Sequence, residues 1–170
     1  IGAAEGEAFL FAAQHSIKNN QPLLVVATGG GMKMQESIIS LNQMTRTTLA
    51  INELKTKKIP YIVLFADPVA GGITASYAML GDIQIAEPGA LIAFAGRRVI
   101  EGTVKEELPE NFQKSEHVQA CGFVDTIIQR KDLPEKIGIL LSILLKKQTD
   151  VKIEDGDKTS EDNIENREAS

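Results

Sequence analysis

Two hydrophobic periods alternate along most of the chain. Residues 3–19 carry small and apolar side chains at helical spacing, with Ala4, Ala8, Phe11 and Ala12 marking the predicted apolar face. The run PLLVVAT, 22–28, has the length of a buried strand and ends on Gly29, Gly30 and Gly31. From Gln35 to about Lys57 an amphipathic helix is predicted, with Ile38, Leu41, Ile51 and Leu54 toward one side. Lys55, Lys57 and Lys58 stand at its C-terminal end, where cations suit the helix dipole. Pro60 marks a restart, and YIVLF, 61–65, predicts a second buried strand, followed by Gly71-Gly72 and a helix from about Ile73 to Leu80. IQIAEPGALIAF, 83–94, predicts two short strands around a Glu-Pro-Gly turn. Mixed helical segments between 97 and 121 lead to a strand at VDTIIQ, 124–129. A last helix is predicted behind Asp132 as N-cap, with Pro134 just inside it, Glu135 at capping-box spacing, and Ile137, Leu140, Leu141, Leu144 and Leu145 apolar. Strand and helix in turn imply an α/β fold with parallel strands.

Composition bounds this picture. With 170 residues, 43% of them hydrophobic, the chain buries one sizeable core. Aromatics make up 5% and tryptophan is absent, so aliphatic side chains carry the packing. A single cysteine, Cys121, forms neither an internal disulfide nor a multi-cysteine zinc site, which fits a reducing compartment; it is expected to be a buried, inert thiol. No apolar run reaches the ~18 residues of a membrane span. The opening IGAAEGEAFLFAAQ places Glu5 and Glu7 where a signal peptide needs an unbroken apolar stretch, and the missing initiator methionine suggests a processed or truncated chain. Charge is uneven: Gln148–Ser170 holds eight acidic against three basic residues, whereas residues 1–147 balance at fifteen of each. The expected organisation is one domain over 1–147 and an acidic, disordered tail over 148–170. No basic stripe with interleaved aromatics argues for a nucleic-acid surface.

Both glycine clusters fall just after a predicted strand and just before a predicted helix, where open α/β sheets build ligand sites. Without a Cβ, a substrate oxygen can approach backbone N–H groups, and a helix N-terminus adds free donors; such a pocket suits an oxyanion. Phosphate-binding motifs do not fit, because Met34 stands where a dinucleotide fingerprint needs its third glycine and no GxxxxGK[ST] occurs.

The stretches GGMKMQESIISLNQM, IPYIVLFADPVAGGITASYAMLGDIQIAEPGALIAFAGRRVIEGTVKEELPENFQKSE and GFVDTIIQR resemble the β-subunit family of bacterial acetyl-CoA carboxylase carboxyltransferases, within the crotonase superfamily. The resemblance runs from about Ile1 to Lys147 and covers the C-terminal part of that family's subunit; the family's N-terminal four-cysteine zinc ribbon has no counterpart here. It implies a crotonase-like ββα spiral core with parallel strands and flanking helices. It further implies that the amides of Gly71 and Gly72 form an oxyanion hole for the thioester oxygen of acetyl-CoA, and that Gly30, Gly31, Met32 and Ser76 shape the substrate site. No metal site is expected in this chain. The implied reaction transfers the carboxyl group of carboxybiotin, carried on a biotin carboxyl carrier protein, to acetyl-CoA to give malonyl-CoA for fatty acid biosynthesis. The implied partner is an α subunit in an α2β2 assembly that supplies the biotin-facing oxyanion hole, and the implied location is the cytoplasm.

Two departures stand out. Met32-Lys33 replaces the family's usual Ala-Arg, so Lys33 keeps a cation without a planar fork. Arg97 follows Phe94-Ala95-Gly96 and, with Arg98, is a candidate contact for CoA phosphates or a partner, or else an ion-paired surface. Rival readings are a ClpP-like serine peptidase, with Ser76 joined by His15 or His117 and Asp82 or Asp125, and another acyl-CoA enzyme such as a hydratase, with Glu36 and Glu101 as its acid pair. A non-catalytic assembly or regulatory chain is the third.

Overall fold

The computed structural model describes residues 1–105 and 107–146; the segment 148–170 expected to be a disordered tail lies outside them. Helix α1 (Ala3–Asn19) leads to β1 (Leu23–Gly29), and a short 3-10 turn at Met34–Glu36 opens α2 (Ile38–Thr56). Then follow β2 (Tyr61–Val69), β3 (Ile83–Ala86), α3 (Arg97–Val104), α4 (Ser115–Ala120), β4 (Thr126–Ile127) and α5 (Leu133–Leu145). The four strands pair in chain order, β1-β2-β3-β4, and every pair is parallel, as the alternating pattern implies.

Strand β2 reads as an unbroken apolar run because it is covered on both faces. Tyr61, Val63 and Phe65 face one core with Phe9 and Ala13 of α1 and Ile51 and Leu54 of α2. Ile62 and Leu64 face a second, smaller core with Ile85, Ile128 and Leu133, against which Ile137, Leu140 and Leu141 of α5 pack. Two aspartates, each just ahead of a strand, fasten it to the start of the strand before. Asp82 N–H donates to Tyr61 O (2.7 Å) while Asp82 Oδ2 accepts from Tyr61 N–H (2.9 Å). One strand further on, Asp125 N–H donates to Gln84 O (3.0 Å) and Asp125 Oδ2 accepts from Gln84 N–H (2.7 Å).

Several expectations change. In α1 the buried face is Gly6, Phe9, Ala13 and Ser16, while Phe11 is 72% exposed; Ala4 and Ala8 also face solvent. In α2 the buried line is Ser40, Gln43, Thr47, Ile51 and Leu54, and Ile38 and Leu41 are exposed. The two helices meet largely through small and polar side chains, so apolar periodicity misplaces the face of α1 and the first half of that of α2, while Ile51 and Leu54 are buried as expected. Residues 71–77 wind as turns closing in a 3-10 segment, Ala78–Leu80, rather than as the predicted helix. Their backbone bonds mix spacings, Ala75 N–H to Gly71 O, Ser76 N–H to Ile73 O and Ala78 N–H to Ile73 O. Thr74 Oγ1 and Ser76 Oγ compete for the carbonyls of Gly71 and Gly72 (2.8 and 2.5 Å), which breaks the regular ladder. Of the two strands expected in 83–94, the first is β3 and the second is reduced to isolated bridges at Leu91 and Ile92. Asp132 does precede α5, but its side chain makes no capping hydrogen bond and a 3-10 turn at Arg130–Asp132 feeds the helix instead.

Candidate active site

The two glycine clusters meet because β1 and β2 are adjacent and parallel, so their carboxyl ends lie side by side. An irregularity between Ala27 and Gly29 shifts the register so that Gly29 pairs with Val69, and Ala70 N–H closes onto Gly29 O at 2.9 Å. Beyond this point the backbones touch. A Cβ built on Gly71 would lie 3.1 Å from Gly30 O and 3.2 Å from Gly31 Cα, and one on Gly31 would lie 3.6 Å from Gly72 N. Gly31 and Gly71 also hold positive φ values of 129° and 62°, which side-chain-bearing residues rarely adopt. The bare backbone is therefore needed twice over, for conformation and for close approach.

The four backbone donors at this junction are not equivalent. Gly71 N–H, expected to serve an oxyanion, donates to Phe94 O at 3.1 Å within the fold. For Gly72, Gly31 and Met32 N–H no protein acceptor occurs among the described residues. The positive end of a regular helix, expected behind Gly72, is replaced by turns, which leaves individual amides as the source of polarity. Gly30 is exposed and Gly31, Met32, Gly71 and Gly72 are half-buried, so the junction opens to solvent. Met32 is bent over Gly72, and Met44 of α2 stands behind it. Sequence reasoning missed Met44 and the Phe94 carbonyl; the first sits beside the buried line of α2, and the second acts through backbone, which leaves no residue-type signature.

Ser76 was expected at the substrate site. It is 3% exposed and its hydroxyl donates back to Gly72 O, so it braces the glycine turn. Of the rest of the peptidase constellation, Asp82 and Asp125 are engaged as strand fasteners, although both line one cavity with His117, and His15 is exposed on α1, stacked on Phe11 at 6.4 Å. The hydratase pair is likewise occupied. Glu36 Oε2 accepts from Ala3 N–H at 2.6 Å, and Glu101 accepts from Arg97 Nε at 2.8 Å. Arg97 also donates to the carbonyls of Leu108 and Pro109, so it ties α3 to the following loop and leaves no free fork for a phosphate. Lys33 is bound to Glu5 at 2.6 Å and lies 3.8 Å from Glu36.

Behind the glycine turn lies a cavity of about 680 Å³, bordered by Thr74, Ala75, Phe94, Gln113, His117 and Cys121. Cys121, expected to be buried, is exposed at the end of the short helix α4, its Sγ 3.9 Å from His117 Nε2. No helix among the described residues is long and apolar enough to cross a membrane.

Comparison with known proteins places this geometry. The chain is 68% identical over 162 residues to the acetyl-coenzyme A carboxylase carboxyl transferase subunit beta of Pelagibacter ubique, covering 95% of this chain and 52% of that protein. It is 54% identical over 145 residues to the protein of the same name from Caulobacter vibrioides, covering 85% and 47%. The chain thus spans about half the length of the curated relatives it matches. Among solved structures, transcarboxylase 12S overlays with a TM-score of 0.73 at 23% identity, over 83% of this chain and 28% of that one. The MdcD-MdcE heterodimer of Pseudomonas malonate decarboxylase overlays with a TM-score of 0.69 at 21% identity, over 88% and 67%. These likenesses bear out the crotonase-like α/β fold. The carboxyl transferase domain model matches residues 1–131, glycine junction included, and the chain belongs to that family.

Proposed function

We propose that this chain is the acetyl-CoA-binding part of the β subunit of a cytoplasmic, biotin-dependent acetyl-CoA carboxyltransferase. The observation that carries the reading is the Gly72 amide, left without a protein acceptor where two glycine loops meet. A thioester oxygen placed there accepts a hydrogen bond that strengthens as negative charge develops on it, and one such donor is worth ~3 kcal/mol in the transition state. A second donor comes from the facing 31–32 loop, whose amides also lack acceptors. This chain's own contribution is to hold the thioester and stabilise the enolate oxygen with backbone groups, which accounts for a site without a strong acid or base.

Bound on its carrier protein, carboxybiotin would supply the carboxyl group for such a reaction. Among Gly30, Gly31, Met32, Met44, Gly71 and Gly72 no side chain donates a hydrogen bond, and the biotin-facing part of the site is assigned to a partner α subunit on the family resemblance. Zinc belongs to the family's N-terminal ribbon, which has no counterpart in these residues.

The test is malonyl-CoA-dependent carboxylation of biocytin by this chain assembled with its α partner. Gly72→Val is expected to lower turnover at least about 100-fold by filling the approach to the amide, as if that donor were lost, while the complex still co-purifies. A Cβ at this position would lie 2.6 Å from Met32 Cε and 2.8 Å from Met32 Cγ, so the added side chain displaces the Met32 side chain beside the amide. Retained turnover in an assembled Gly72→Val complex removes the oxyanion assignment.

A further inference from the structure

The space beside Gly72 is already filled by a residue in which this chain departs from the small side chain its family resemblance leads one to expect. Met32 Cε and Cγ occupy the side of Gly72 where a Cβ would point, and Met44 Sδ would be 3.4 Å from that Cβ. Both methionines are half-buried, so they lie at the site's wall rather than deep in a core. An oxygen accepting from Gly72 N–H sits about 2.9 Å from the nitrogen, and of the two groups bonded to its carbonyl carbon one is the acyl chain.

The backbone that carries Met32 is flanked by two fixed neighbours. Its neighbour Gly31 has φ 129°, and on the other side Lys33 is fixed to Glu5 at 2.6 Å. Met44 projects from a long helix behind it, which limits retreat in that direction.

We propose that Met32 sets the acyl-chain limit of the site: its thioether leaves room for an acetyl group against Gly72 and excludes chains longer by one or more methylenes. The inference rests on the acyl-CoA reading of the junction. A methionine yields more readily than a branched residue, so it acts as a yielding wall, and the expected discrimination is that of one methylene in an apolar pocket, about 10- to 200-fold.

The experiment compares carboxylation of acetyl-CoA and propionyl-CoA by the assembled complex carrying wild-type chain, Met32→Ala, Met32→Val or Met32→Leu. The ratio of kcat/KM for propionyl-CoA over acetyl-CoA is expected to rise at least about tenfold in Met32→Ala, and to stay near wild type in Met32→Leu, which conserves volume. Met32→Val should fall between them and supplies the comparison if the alanine variant does not fold. An unchanged ratio in an active Met32→Ala or Met32→Val complex overturns the proposal, as does Met32→Leu matching Met32→Ala. A wild-type complex inactive toward both thioesters would defeat the functional reading instead. Titration calorimetry of acetyl-CoA and propionyl-CoA onto the same complexes then decides the role of Met32 from the ratio of Kd values.

Discussion

Lys33 stands two residues beyond Gly31, and its ammonium bonds Glu5 of α1, so the glycine loop is tied to a helix by one charged pair. The carboxyl of Glu5 is held down from 4.5 to about 2, first by the hydrogen bond from Lys33 and then by the N–H of Gly2. A carboxyl depressed in the folded state contributes stability above its unfolded value of 4.5, and that contribution disappears as pH falls toward about 2. Carboxyl NMR should give a Glu5 midpoint near the lower value, returning toward the upper one in Lys33→Met; a midpoint of 4.5 in the unmodified chain would disprove the tether. Both glycine clusters and the departure at Met32-Lys33 were legible in the sequence. Unreadable were the partners: that Phe94 O takes the Gly71 amide, that Ser76 turns back on Gly72 O, and that Arg97 is consumed by its own loop, because a backbone carbonyl carries no mark of which donor it will meet.

At the scale of elements, the junction of α1 and α2 depends on Gly6. A Cβ there would fall 2.0 Å from Gln43 Oε1 and 2.9 Å from Gln43 Cγ, and Gln43 is only 2% exposed. Gly6→Ala should therefore destabilise the chain by about 1–3 kcal/mol in urea unfolding, the usual cost of overpacking. Shortening Gln43 to Ala in the same chain should recover part of the loss, and a fully additive double mutant would contradict the contact. The same junction explains why the strands were easier to foresee than the helix faces. Strands β1 and β2 are continuous apolar runs that admit few alternatives, whereas α1 and α2 bury Gly6, Ser16, Ser40, Gln43 and Thr47, residues that a hydrophobic count assigns to solvent. The turns at 71–77 escaped for a different reason: the small residues that favour close packing there also carry the hydroxyls that disrupt a helical ladder.

Across the whole molecule, coverage of the sheet is unequal. Helices α1 and α2 cover one face, but on the other α5 packs over residues of β2 and β3 and over Ile128 just past β4, and leaves Leu24 and Val26 of β1 40% and 56% exposed. Strand β1 is also the sheet's edge, with one side of its backbone unpaired in the sheet. A bare apolar edge favours association, so the isolated chain should self-associate, and Val26→Lys should shift it toward monomer in mass photometry without lowering its Tm by more than a degree or two. Equal association in both proteins would place the sticky surface elsewhere.

The aspartate fasteners have a consequence for how the chain is made. Because strand order equals chain order, no strand is ever inserted between two earlier ones, and Asp82 and Asp125 each arrive just ahead of the strand they attach. On a ribosome, every new strand emerges to find its docking edge already finished, so the sheet can grow in the direction of translation, one latch at a time.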